Sequence, residues 1–356
     1  LLKDEKISNL QLIMLIMGFV FGSTAILNPA VNAYQDSWLA YIIGWMGGII
    51  LIYIYGYISK LNPSKTLVEI LQCTFGNFFG NILAILYVFY FIHLSALILR
   101  NFGEYMVITT YTETPMLFIM VSVITVVAYC IRKGLEVTSR VAEFLVPLLI
   151  FNVLILFLLI FNKYDINNFL PFLERGFSPI LKTAFSVLSF PFGETIVFLM
   201  IIPNLNNKKD IIKSSIISIL IIGFVIFTVL IRDLLSLGAD MLSKIYFPPS
   251  ISTKLLTTMN IDPLINTNLL IGGGIKITVC TYAAAMGICQ LFKLDNYKML
   301  IIPISLIVLI ISKLIYNNVF EMINWSSNIY PYYALPFQVI IPIIILIISL
   351  MKKRVK

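Results

Sequence analysis

Ten apolar runs follow one another along this chain, most of them about the 20 residues that a helix needs to cross a bilayer, and two of them break in the same way. The runs cover about residues 10–33, 38–59, 77–101, 115–131, 141–161, 180–203, 211–235, 264–292, 297–316 and 332–351. Charged residues make up 12% of the chain, half the roughly 25% of soluble domains, so the runs belong in lipid. They lack the ten-residue polar/apolar alternation of barrel strands. The expected fold is an all-α membrane protein of ten transmembrane helices. Leu10 to Val31 is too long for a signal-peptide core and has no small-residue cleavage site after it, so it is expected to remain as span one.

The breaks are Phe21-Gly22-Ser23-Thr24 in span one and Phe192-Gly193-Glu194-Thr195 in span six, 171 residues apart. Each is followed by an apolar stretch and a paired Pro and Asn, Asn28-Pro29 and Pro203-Asn204. Five spans per half is an odd number, so a repeated unit enters the membrane with opposite polarity the second time. The expected organisation is one domain over 1–356, a five-plus-five inverted repeat with halves at about 10–161 and 180–351 and with helices one and six broken. Paired breaks in corresponding positions point to a binding site between discontinuous helices, because exposed peptide groups at membrane depth are tolerated only where they line a cavity or meet a ligand.

Sixteen Lys and Arg fall in the connections on the side of the termini and eight on the other, which predicts cytoplasmic termini. The net charge of +8 is thus a topology signal facing anionic lipid, not a nucleic-acid surface. Cys73, Cys130, Cys280 and Cys289 lack metal-ligand spacing and read as packing residues; no metal or cofactor is expected. A single histidine, with no Walker loop and no nucleophile elbow, leaves no enzyme constellation.

Glu194 stands near the middle of span six, where a charge costs several kcal/mol, so it is a candidate ligand group; the competing reading is a protonated acid bonded to a carbonyl. Pro191 and Gly193 loosen the helix around it. The two ends of a discontinuous helix suit the carboxylate and ammonium of an amino acid. Gly22, Ser23 and Thr24 offer amides and hydroxyls to the carboxylate, or else form a small-residue helix contact. Lys276 lies about 12 residues inside span eight beside Gly272-Gly273-Gly274. It reads either as a tethered cation bridging to span one in place of sodium, or as a structural partner of Glu194. His93, near Tyr90 in span three, senses pH, contacts ligand, or simply packs. Tyr90, Phe198 and Cys280 are further candidates for the pocket wall. Arg100 and Glu104, four apart, read as an outer-edge pair, and Trp38, Trp45 and Trp325 as interfacial residues. The stretch from Ser236 to Pro263 is either a cap over a vestibule or a loosely packed loop.

These residues resemble the endospore germination permease family, the B subunits of nutrient germinant receptors, within the amino acid, polyamine and organocation transporter superfamily. The resemblance spans the chain. It runs through Gln35-Asp36-Ser37-Trp38, then Asn62-Pro63-Ser64-Lys65-Thr66-Leu67 with Glu69, then Thr114-Pro115. It continues through Lys133-Gly134-Leu135-Glu136-Val137 with Arg140, Glu143 and Pro147, then Phe190 to Thr195, and Gly272-Gly273 with Lys276. It implies a small germinant, commonly an amino acid, held at spans one and six. It also implies assembly with the receptor A and C subunits in the spore inner membrane. Met259-Asn260-Ile261-Asp262 lacks an arginine expected there, and Ala33-Tyr34 replaces a glycine-containing step. The leading expectation is therefore a sensing receptor subunit; the alternative is a proton-coupled amino acid or amine transporter using the same pocket.

Overall fold

The computed structural model describes residues 5–255 and 261–354. Nine helices among these are long and apolar enough to cross a membrane, and the shorter apolar helix Asn9–Ala25 completes the series as span one. The protein is an integral membrane protein of helical spans. The missing arginine at Met259-Asn260 lies outside the described residues.

Local signals set the helix starts. Ser8 and Gln11 form a reciprocal capping box at the head of span one, the Gln11 N–H donating to Ser8 Oγ at 3.1 Å and the Ser8 N–H to Gln11 Oε1 at 2.9 Å. Thr66 and Glu69 do the same for the third helix. That helix is longer than the 77–101 span expected: it covers Leu67–Thr109 but turns at Gly76, whose φ of +80° only glycine adopts freely. The segment before the turn is a separate short helix on the side of the termini, where Lys352 Nζ donates to the Cys73 carbonyl at 2.7 Å.

The last span also exceeds its expected bounds, covering Val319–Lys353 where 332–351 was expected. Two π turns, Trp325–Ile329 and Pro336–Ile340, interrupt it and isolate the six-residue helix Tyr330–Leu335. Pro331 and Pro336 each lack the N–H that an unbroken α-helix would use.

Three expectations are corrected here. Arg100 and Glu104 do pair, but not at an open edge: they are 3% and 6% exposed, and Arg100 also donates to the Ser312 and Lys313 carbonyls at 3.2 and 3.1 Å, capping the end of span nine. Trp45 is not an interfacial residue but packs on span seven, its Nε1 donating to the Ile219 carbonyl at 2.9 Å. The described part of the 236–263 connection is not loose. Its short helices Ala239–Leu242 and Pro248–Lys254 are built into the bundle, with Ser250, Ser252 and Thr253 buried and Ser252 Oγ donating to Asp233 Oδ1 at 2.7 Å.

The Arg100 clamp gives a first prediction. Replacing Arg100 with Leu leaves the Glu104 carboxylate buried and unpaired, so R100L should lower unfolding stability in detergent by about 3–5 kcal/mol. Adding E104Q should recover part of that loss, measured as the thermal midpoint.

Candidate functional site

The two breaks use one local device. In span one the α-helix ends at Phe21 and a 3₁₀ turn covers Gly22–Ala25, with the Thr24 hydroxyl donating to the Phe21 carbonyl at 2.6 Å. In span six the α-helix Phe177–Val187 gives way to a π turn, Phe190 is extended (φ −129°, ψ 117°), and a 3₁₀ segment runs over Gly193–Met200. There the Thr195 hydroxyl donates to the Phe192 carbonyl, again at 2.6 Å. Within each Phe-Gly-x-Thr motif the threonine thus satisfies the carbonyl of the phenylalanine three residues back. The Thr24 hydroxyl expected to face a ligand is committed to the backbone.

The third position is where the motifs differ, and both third residues, Ser23 and Glu194, line the same small cavity. Ser23 Oγ is buried with no hydrogen-bond partner among the described residues. Glu194 is 1% exposed; its Oε1 accepts from the Tyr330 hydroxyl at 2.6 Å and its Oε2 pairs with the Lys276 ammonium. Lys276 is fully buried, and its ammonium also lies 4.7 Å from the Phe190 ring centre and 5.3 Å from that of Phe19.

Gly22 is required by the lysine. A Cβ there would lie 2.5 Å from Lys276 Cδ, so the stem of the side chain passes where a larger residue would stand. Span eight therefore seats its lysine on the break of span one while the ammonium reaches the break of span six. The ammonium pairs with Glu194, and it is the aliphatic stem that meets span one. Gly193 plays the matching part in span six, where a Cβ would fall 2.2 Å from Gln338 Oε1.

The remaining candidates separate. Tyr90 reaches the site indirectly, its hydroxyl 3.1 Å from that of Tyr330. Phe192 packs on Tyr41 and Gly48 of span two, and Phe198 stacks edge-on against Phe19. His93 sits apart in a ring cluster with Phe89, Trp325 and Tyr333, its Nδ1 buried with no hydrogen-bond partner among the described residues. Carbonyls freed by the span-six break are approached from outside it: Gln338 Nε2 donates to Ser189 O at 3.0 Å, and the Tyr55 hydroxyl, whose proton goes to the Gln338 carbonyl at 2.6 Å, lies 3.2 Å from Gly193 O. Tyr330, Gln338 and Tyr55 were missed from the sequence. Tyr330 lies just before the expected start of span ten, whereas Gln338 is an amide inside an apolar run between Pro336 and Pro342, a signal that was available.

The cavity beside Ser23 and Glu194 holds only about 30 Å³, room for a water, far below the roughly 300–1,000 Å³ of small-molecule pockets. Leu94, Leu97, Ile98 and Met322 make the rest of its wall largely apolar. Leu27, Phe190 and Ser326 separate it from a neck of about 60 Å³, and Tyr246 and Ser186 separate that neck from an open cleft of about 720 Å³. The three spaces form a series that narrows in volume toward the centre.

A family model described as spore germination protein matches residues 6–321. Spore germination protein KB of Bacillus subtilis (strain 168) is 31% identical over 361 residues, covering 99% of this chain and 97% of that protein. Spore germination protein YndE of the same organism is 24% identical over 365 residues, covering 98% of each. Among solved structures, MhsT in complex with L-phenylalanine superposes with a TM-score of 0.66 at 13% identity, covering 97% of this chain and 99% of that one, a likeness of fold.

The buried pair gives a second prediction. K276M strands a carboxylate in the membrane and should cost about 3–5 kcal/mol, whereas K276M combined with E194Q should recover most of it. Thermal unfolding of the three proteins in one detergent reads the difference.

Proposed function

Because this chain belongs to the spore germination protein family, a family of permease type and not an enzyme class, we propose that it is the B subunit of a nutrient germinant receptor. In this reading it binds a small nutrient, most simply an amino acid, at the breaks of spans one and six. The observation that carries the reading is the convergence of Ser23 and Glu194, the third residues of two matched breaks, on one small cavity with Lys276 between the spans.

The chemistry of the pair favours a zwitterion. Separating Glu194 from Lys276 costs several kcal/mol unless both charges find new partners. An amino acid supplies both at once: its ammonium faces Glu194 and the carbonyls of the break, and its carboxylate faces Lys276, Ser23 and the amides near Gly22. An amine alone or an acid alone leaves one buried charge stranded. The apolar wall of Leu94, Leu97, Ile98 and Met322 then faces the side chain. Entry is through the graded clefts on the side away from the termini, and the cavity opens as the ligand enters.

The proposed setting is the spore inner membrane, with the termini on the core side, the halves related as a five-plus-five inverted repeat, and the receptor A and C subunits as partners. Ligand binding shifts the packing of spans one and six only by its difference in affinity for two states, and the partners respond to that difference. The fold shared with MhsT supports a second reading, a proton-coupled amino acid or amine transporter. Uptake of labelled L-alanine or L-phenylalanine into proteoliposomes separates the two: sustained flux without partners favours transport.

Calorimetric binding of the common L-amino acids to the purified protein tests the site. For whichever one binds, the matching amine lacking the carboxylate and the matching acid lacking the ammonium should both bind at least about tenfold more weakly, ~1.4 kcal/mol, and E194Q should weaken the amino acid by at least as much. Unchanged affinity and pH dependence in E194Q would remove Glu194 from the site.

A further inference from the structure

Glu194 stands at one end of a chain of hydrogen bonds whose direction is fixed. A phenol has one proton to give. Tyr330 gives its proton to Glu194 Oε1 at 2.6 Å, so at the 3.1 Å contact between the two tyrosine hydroxyls Tyr90 must be the donor. Tyr90, having given its proton, must accept from Gln338 Nε2 at 2.9 Å. The main order is therefore Gln338 to Tyr90 to Tyr330 to the carboxylate, with a longer direct contact of 3.4 Å from Gln338 Nε2 to the Tyr330 hydroxyl beside it. It begins and ends on different spans, and two of its members, Tyr330 and Gln338, belong to span ten.

Gln338 is fully buried and grips the span-six break by three further routes. The second proton of its amide goes to Ser189 O. Its own backbone carbonyl accepts from the Tyr55 hydroxyl at 2.6 Å, and the same hydroxyl reaches Gly193 O. Its Oε1 rests against Gly193, where no larger residue fits, and makes no hydrogen bond among the described residues. Tyr330 and Gln338 sit at the two ends of the short helix Tyr330–Leu335, each at a π turn. Such turns within a helix are frequent at functional sites, because the extra residue can be passed along the helix at small cost in hydrogen bonds. Beyond the second π turn the span presents Ile343, Ile347 and Met351 outward, while Ile345 is fully buried and Ser349 Oγ accepts from Asn62 Nδ2 at 3.2 Å, so that movement of this helix is felt at span two.

We infer that Gln338 is a positioning residue through which the state of the Glu194 carboxylate is passed to the last span. While Glu194 is an ionised acceptor, the donor order is fixed and the Tyr330–Leu335 segment is held against span six. When that charge is lost, the group at 194 no longer fixes Tyr330 as the donor, Tyr90 and Gln338 are free to reorient, and the segment and the helix after it shift. The inference rests on the reading of the span-six break as the ligand site, and it names the element that reports occupancy.

The test needs no ligand, so its outcome is independent of whether any amino acid binds. Spin labels are placed on Ile347→Cys in span ten and Val126→Cys in span four, both exposed, with Cys73 and Cys130 replaced by Ser, and their distance distribution is measured in nanodiscs by pulsed electron resonance. E194Q removes the ionised acceptor and should shift the distribution. In a Q338M background, which keeps the side-chain length and removes the amide, the E194Q shift should vanish. Y90F, which keeps the ring and removes one hydroxyl, should reduce it too, and serves if Q338M does not fold. No shift on E194Q, or the same shift with Q338M and Y90F as without them, overturns the inference. Amino acid binding with no such coupling leaves the site standing and removes only the relay; coupling without binding does the reverse.

Discussion

Inside hydrocarbon a peptide group that leaves helical geometry has no water to turn to, and this constraint organises the centre of the protein. Two helices are interrupted, and several of the freed groups are met from specific places. Thr24 and Thr195 close back on their own chains. Gln338 and Tyr55 reach in from spans ten and two to the carbonyls of span six. Lys276 comes from span eight across Gly22 to neutralise the one carboxylate that the breaks carry. Five spans thereby meet at one point, and the close approaches leave room for glycine alone at 22 and 193.

The same accounting separates architecture from chemistry among the residues that mark the family. Thr66 and Glu69 are a helix cap, and Gln35 and Asp36 staple the start of span two to the 171–174 segment by bonds to Pro171 O, Glu174 and the Leu173 N–H. Gly134 has a φ of +105° where span four ends, and Glu143 accepts from Gln11. These features build the bundle. Only the Phe190–Thr195 and Gly272–Lys276 pieces approach the cavity.

Helix number, the two breaks and the unusual position of Glu194 and Lys276 inside the bundle were legible in the sequence because hydrocarbon penalises charge and interrupted helix so heavily that each exception shows. The pairing of Glu194 with Lys276 was legible as one option of two. Tyr330 and Tyr55 were not, since tyrosine in an apolar run carries no penalty large enough to mark it; Gln338, an amide between Pro336 and Pro342, did carry a signal, but only the tertiary arrangement brings it to span six. A lone histidine attracts notice whatever it does, and the place of His93 among aromatic rings beside the site agrees with the packing reading that its sequence context already offered. Arg100 and Glu104 looked peripheral because four-residue spacing describes a helix surface and says nothing of span nine, which covers it.

The central claim is that an ionised carboxylate, held by a lysine and a tyrosine, sits where the broken spans meet at the middle of the membrane. Infrared difference spectroscopy of the wild-type protein against E194Q in lipid, with isotope-labelled glutamate, observes that group directly. The account predicts that the substitution removes a carboxylate stretching band. Loss of a protonated carbonyl band in its place would contradict it, because a neutral acid neither pairs with Lys276 nor fixes the order of the hydroxyls behind it.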